Sequence, residues 1–343
     1  MNHDDRTMRR IGLWGAPTSG KTSFLAALNI AVTQSSEEWT IFGVDDPSVD
    51  FLVDSTTTLT HERRFPPATE ALSELSWILM SETEVEIGTR RRKETKKIPL
   101  ELHLDVLDAP GRVFGHKPKT DAHQSQLEGL GFDDEDEGMD GAGGGSELDE
   151  EKLIDNLADC DGIVYLFDPI REREKGDAFQ YFQRTLALLA KRSLEGRRLI
   201  NGRLPHHFAV CITKFDEPRV YQTAKARGYI TFDPDDKHMF PKVHPDNAEN
   251  LFEDLCQVAS AREAALVHGS IKRYFRPERV RYFATSAVGF YLAPRTVRFR
   301  ASDYQNVVPD GGEGYRIRGD IHPINVLEPL LWLGRQLSSE TGR

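Results

Sequence analysis

The sequence predicts an α/β protein built on a mostly parallel sheet with helices on both faces and one antiparallel edge strand. Three observations carry that expectation. Short apolar runs bounded by turn residues recur between segments of helical periodicity; the first run leads through a glycine-containing turn into a helix; and one pair of runs alternates apolar with polar side chains across a charged connection.

The first run, Arg10-Ile11-Gly12-Leu13-Trp14, stops at Gly15. From Lys21 onward Phe24, Leu25, Leu28 and Val32 share one helical face. Leu75 to Met80 and Leu100 to Leu107 form the alternating pair, expected as an antiparallel hairpin at the sheet edge. Ile163 to Phe167, Phe208 to Ile212 and Val280 to Ala284 have the length of buried strands. Phe179 to Leu194 and Asn247 to Val267 read as amphipathic helices, and Ile324 to Leu337 as a closing helix docked by Val326, Leu327, Leu330, Leu331 and Leu333. Stretches at about 113–151, 217–246 and 293–319 read as insertions in one domain spanning 1–343, with no internal repeat. The first holds an acidic, glycine-rich block, Asp133 to Glu151, of the kind that repels itself and resists packing.

A chain of 343 residues can bury a core without staples. Its net charge of -11 opposes wrapping by nucleic acid or an anionic membrane, so no nucleic-acid partner is expected. Cys160, Cys211 and Cys256 show neither disulfide nor zinc spacing. No run of ~18 apolar residues predicts a membrane span, and the polar start shows no secretory leader, which together point to the cytoplasm.

Gly15-Ala16-Pro17-Thr18-Ser19-Gly20-Lys21-Thr22 matches the phosphate-loop pattern G-x-x-x-x-G-K-[ST], followed by Ser23. Glycines let backbone N–H groups close around phosphate oxygens, the Lys21 ammonium reaches the outer phosphates, and the Thr22 hydroxyl is placed for Mg²⁺. Placed between strand and helix, the motif predicts a P-loop NTPase. Further signals stand at strand carboxyl ends, where ligands of open parallel sheets bind: Asp108-Ala109-Pro110-Gly111, Thr213-Lys214-Phe215-Asp216 and Thr285-Ser286-Ala287.

In that order the motifs resemble the translation-factor-related class of P-loop GTPases, Ras-like members included. The resemblance covers four of five family motifs and implies binding of GTP and GDP with Mg²⁺. It implies that Asp108 helps hold Mg²⁺, that the Gly111 N–H meets the γ-phosphate, and that Thr213 and Lys214 frame the base. Asp216 would accept from the guanine N1–H and N2–H₂, and the Ser286-Ala287 backbone would contact O6. The switch I threonine, a further Mg²⁺ ligand, is assigned to Thr69 because it precedes the Leu75 to Met80 strand; Thr56, Thr57, Thr58 and Thr60 compete. More weakly, the long insertions and the closing helix resemble bacterial GTPases associated with defence systems.

The sequence departs from the pattern at Arg112, where Ras-like enzymes carry the glutamine that orients the attacking water. Turnover is therefore expected to be slow, with Arg112 itself a candidate for stabilising transition-state charge beside Lys21 and Thr69. His116 reads as a surface residue. The expected output is a nucleotide-dependent change of contacts with a protein effector or regulator. Two other readings stay open: a scaffold that holds nucleotide without turnover, and an ATP-using P-loop enzyme in which Thr213 to Asp216 is coincidental. The basic cluster Arg90-Arg91-Arg92-Lys93 with Lys96 and Lys97 reads as a solvated hairpin tip, without aromatic interleaving for base stacking.

Overall fold

The computed structural model describes residues 9–35, 38–67, 73–89, 92–108, 143–258, 264–312 and 314–341. Its centre is a seven-stranded sheet. Strand β1 (Arg9–Gly15) leads into helix α1 (Lys21–Gln34), and β2 (Thr40–Gly43) into α2 (Asp46–Thr57), which continues as a π-helical turn over Thr58–Glu62. The hairpin follows, β3 (Ser73–Thr89) and β4 (Arg92–Asp108), paired from Ser73 with Asp108 to Thr89 with Arg92. Then come α3 (Gly143–Asp159), β5 (Gly162–Phe167), α4 (Pro169–Lys175), α5 (Ala178–Glu195) and β6 (His207–Ile212). Next are α6 (Pro218–Ala226), the small hairpin β7 (Ile230–Phe232) and β8 (Pro241–Val243), α7 (Pro245–Val258) and α8 (Ala264–Tyr274). The chain ends through β9 (Val280–Ala284), a second small hairpin β10 (Val307–Pro309) and β11 (Tyr315–Ile317), and α9 (Glu328–Thr341).

The strand order is β2-β3-β4-β1-β5-β6-β9. From β4 to β9 all neighbours are parallel, whereas β3 runs antiparallel to both β2 and β4 and forms the antiparallel edge region. β5 and β6 are buried along their whole length, as central strands covered on both faces must be. One face packs Trp14, Tyr165, Phe208 and Val210 against α3, α5, α7 and α8, with Trp14 stacked on Phe182 at 4.9 Å. The other packs Ile11, Leu13, Val164, Leu166 and Cys211 against α1, α2 and α9. The expected α/β architecture, a mostly parallel sheet with helices on both faces, is the one observed.

Several elements differ from the sequence reading. β2, α2 and the π-helical turn were not foreseen. α2 starts where the Asp45 carboxylate accepts from the Ser48 N–H at 2.9 Å, and the Trp77 indole donates to the Ser48 carbonyl at 2.9 Å, pinning the helix to β3. The stretch 247–267 is not one helix: α7 and α8 flank 259–263, outside the described residues, and pack against each other. The closing helix begins at Glu328 because Ile324 instead exchanges backbone hydrogen bonds with Ser286. The acidic block is helical from Gly143 onward. There Glu150 is held by Arg184, with Nη2 and Oε2 2.6 Å apart, while Leu153 and Leu157 enter the core. Pairing and an apolar face overcome the repulsion.

Candidate functional site

Because β1, β5, β6 and β9 are parallel, their carboxyl ends lie on one edge of the sheet. The phosphate loop leaves β1 there. Gly15 is required by close approach: a Cβ would sit 2.5 Å from Ser19 Oγ and 2.9 Å from the Leu166 carbonyl. Gly20, with φ +96°, turns the chain into α1. The Ser19 N–H donates to the Ala16 carbonyl at 3.1 Å. Its hydroxyl is fully buried and has no hydrogen-bond partner among the described residues. The Lys21 ammonium, also buried, donates to the carbonyls of Gly15 and Ala16 at 3.2 and 3.4 Å. The motif residues Gly15 to Ser23 thus form a continuous loop and helix start, with Pro17 and Thr18 at its outer bend. Thr18 holds φ +60°, a left-handed conformation that costs a β-branched residue about 1–2 kcal/mol.

The second group hangs on β6 and β9. The Thr213 N–H and hydroxyl both donate to the Phe167 carbonyl, at 2.9 and 3.0 Å, which ties the end of β6 to β5. Lys214, at φ +57°, directs its ammonium to Asp168 Oδ2 at 2.6 Å. Asp168 also caps α4, accepting through Oδ1 from the N–H groups of Ile170 and Arg171 at 2.9 and 3.1 Å. Asp216 is buried, and the Ser286 hydroxyl donates to its Oδ1 at 2.5 Å. Burial pushes the Asp216 carboxyl up from 3.8 to about 6, with the Ser286 hydrogen bond opposing the shift. Ser286 Oγ itself accepts from the Gly289 N–H at 2.8 Å, which shapes the loop containing Ala287.

That loop is braced from behind. Ser286 and Ile324 exchange hydrogen bonds of 3.0 and 2.9 Å. The fully buried Asn306 amide donates to the carbonyls of Val288 and Asp320 at 3.0 and 3.1 Å, and its oxygen accepts from the Gly319 N–H at 2.8 Å. Asn306, Asp168 and Arg171 were not singled out from the sequence. For Asp168 a signal existed: an Asp-Pro pair directly after a strand is a helix start, and it stands opposite the Thr213-Lys214 motif. Asn306 lies in a turn-rich stretch with no motif.

The structure brings together the phosphate loop, Thr213, Lys214, Asp216, Ser286 and Ala287 at one edge. Asp108 is the last residue of β4, next to β1, but its side chain lies outside the described residues, as do Thr69, Gly111, Arg112 and His116 in full. Thr56 and Thr57 fall in α2, Thr58 and Thr60 in the π-helical turn. The hydroxyls of Thr57 and Thr60 donate to backbone carbonyls of their own helix at 2.7 Å. Among the described residues no group of three His, Cys, Asp or Glu side chains could hold a metal ion by itself, and no helix is long and apolar enough to cross a membrane.

No family model and no curated protein matches the chain. Among solved structures it aligns with the Arl6 BBS3 small GTPase from Trypanosoma brucei bound to GppNp, at TM-score 0.32 and 10% identity over 97% of this chain and 99% of that one. It also aligns with the signal recognition particle receptor SRb-GTP/SRX complex from Chaetomium thermophilum, at 0.32 and 12% over 84% and 94%. A third alignment, with Sup35 complexed with GMPPNP, has TM-score 0.31 and 11% identity over 82% of this chain and 38% of that one.

Proposed function

We propose that the chain is one GTPase domain with insertions, which binds GTP and GDP with Mg²⁺, hydrolyses GTP slowly and thereby switches its contacts with a partner protein. The observation that carries this reading is the buried Asp216 carboxylate beside the phosphate-loop edge, with one oxygen taken by Ser286. A buried carboxylate kept ready to accept two N–H donors suits guanine, which offers N1–H and N2–H₂ on adjacent atoms, and not adenine, which lacks that pair. The loop fits phosphate on two counts. Gly15 has no room for a side chain, and Lys21 is held among loop carbonyls that phosphate oxygens would replace as its partners.

In this reading Gly15 to Ser23 hold the phosphates, Thr22, Asp108 and Thr69 hold Mg²⁺, and Gly111 meets the γ-phosphate. Mg²⁺ would supply charge neutralisation on the transferred phosphoryl group. Arg112, standing where the water-orienting glutamine is expected, supports slow turnover in the isolated protein and makes a nucleotide-holding scaffold the second reading. The protein would work in the cytoplasm; the long insertions and the closing helix are what suggest an association with a bacterial defence system.

The test is titration of purified protein with GTP, GDP and ATP in Mg²⁺, then single-turnover phosphate release from the tightest triphosphate. Tight guanine-selective binding with slow release supports the switch, binding without release the scaffold, and ATP preference overturns the base assignment. Lys21→Ala should weaken triphosphate binding about 100-fold, the worth of a charge-assisted contact; full retention of affinity removes Lys21 from the site.

A further inference from the structure

Helix α4 touches both halves of the candidate site. Its capping residue Asp168 holds the Lys214 ammonium at 2.6 Å, and one turn later Arg171 reaches the phosphate loop, donating from Nη1 to Thr18 Oγ1 at 3.0 Å. Arg171 is itself fixed. Nε and Nη2 form a fork on Asp177 Oδ1 and Oδ2 at 2.9 and 2.6 Å, the guanidinium lies 5.4 Å from the Tyr181 ring centroid, and the side chain is 7% exposed. With two of its three nitrogens held, the third has one direction left, toward Thr18. A lysine could not serve both partners. Thr18 is the strained residue of the loop, and such strain persists only where the surroundings hold it.

We propose that Arg171 is a positioning residue. It holds Thr18, and with it the phosphate loop, in the shape that receives phosphate, and through α4 it couples that loop to the base-side Lys214 so that bound nucleotide leaves slowly. The proposal rests on the nucleotide-binding reading above. Relaxing Thr18 would change the directions of the loop N–H groups that bind phosphate, so the effect of losing this contact falls on release; Thr18 is exposed, whereas Arg171 is buried on its Asp177 partner.

The experiment measures release of a fluorescent methylanthraniloyl-GDP chased by excess GDP, alongside thermal unfolding of the nucleotide-free variants. Arg171→Met should speed release about tenfold, the scale of one hydrogen bond to a charged group, while the nucleotide-free variant still unfolds cooperatively at a midpoint lowered by loss of the Asp177 fork. Thr18→Val should speed release to the same extent with the midpoint unchanged, Thr18→Ser should release more slowly than Thr18→Val, and the double variant should release no faster than the faster single one, because both remove one contact. Arg173→Met, an exposed neighbour on α4, serves as control with unchanged release. Release from Arg171→Met at the parental rate, or additive effects in the double variant, overturns the proposal while leaving nucleotide binding intact. Failure of the parental protein to retain any nucleotide overturns the functional reading and this proposal with it.

Discussion

In the proposed reading base recognition turns on Asp216, and the chemistry of that carboxyl sets two expectations. Asp216→Asn replaces an acceptor with a donor, so preference should move from guanine toward xanthine nucleotides; an unchanged preference in competition binding would remove Asp216 from the base site. Only the ionised carboxylate can accept both base donors, and burial raises its pKa to about 6. Affinity for GDP should therefore hold from pH 8 to 7 and fall as the pH drops through 6, a dependence that the residual GDP binding of Asp216→Asn should lack. Isothermal titration from pH 5 to 8 reads both. The same shift acts on the empty fold in the opposite sense: a carboxyl whose folded pKa exceeds its ordinary 3.8 adds stability below that value and loses it as the pH rises through 6. At this scale the sequence was informative in that the motif residues Gly15 to Ser23, Thr213 to Asp216 and Ser286 to Ala287, picked by residue type and short spacing, fall at one edge of the sheet. Arg171 was hidden because its partners, Thr18 and Asp177, are brought to it by folding and not by proximity in any motif.

Among the elements, the base loop differs from the phosphate loop in what shapes it. The phosphate loop is shaped by its own glycines and Lys21 with one brace from Arg171 at Thr18, whereas the loop at Ser286 to Gly289 is shaped by Asn306 and Ile324. Asn306→Ala leaves the Asp320 carbonyl and the Gly319 N–H without their Asn306 partner and takes one of two donors from the Val288 carbonyl, which keeps the His322 N–H, at about 1–3 kcal/mol for a buried polar group. GDP affinity should fall about tenfold with Lys21-dependent phosphate binding retained, as measured by competition with GDP and with pyrophosphate; equal losses for both would place the damage elsewhere. Regular elements with strong periodicity, such as α1, α5 and β9, were legible. β2 and α2 were not, because a four-residue strand and a helix begun by an Asp45 cap give short or mixed patterns. The extent of the closing helix was misread because the apolar residues Ile324, Val326 and Leu327 serve a bridge and the core in a bent segment, with Asn325 at φ +50°.

For the whole molecule, acid sensitivity has a clear source at the opposite end of the sheet from the site. His206, just before β6, is buried, and burial with the nearby Arg198 lowers its pKa from 6.5 to about 4. The unfolded chain takes up this proton first, so the stabilising contribution is complete above 6.5 and is lost as the pH falls toward 4. His206→Phe should lose less stability between pH 7.5 and 5 than the parent, by on the order of 2 kcal/mol in urea unfolding; parallel losses in the two proteins would exclude His206 as the source. The fold class was readable because strand, turn and helix recur in order, and two-faced burial of β5 and β6 follows from their unbroken apolar runs.

The backbone exchange between Ser286 and Ile324 also fixes where a working fragment can end. All the recognition motifs are complete by Ala287, so a boundary drawn from them would stop the chain soon afterwards. A protein cut there would keep every signature residue and lose the segment against which the base loop is laid, together with α9, which covers one face of the sheet. Expression designs, domain swaps and fusions should treat residues up to the end of α9 as part of the same folded unit as the Ser286 loop.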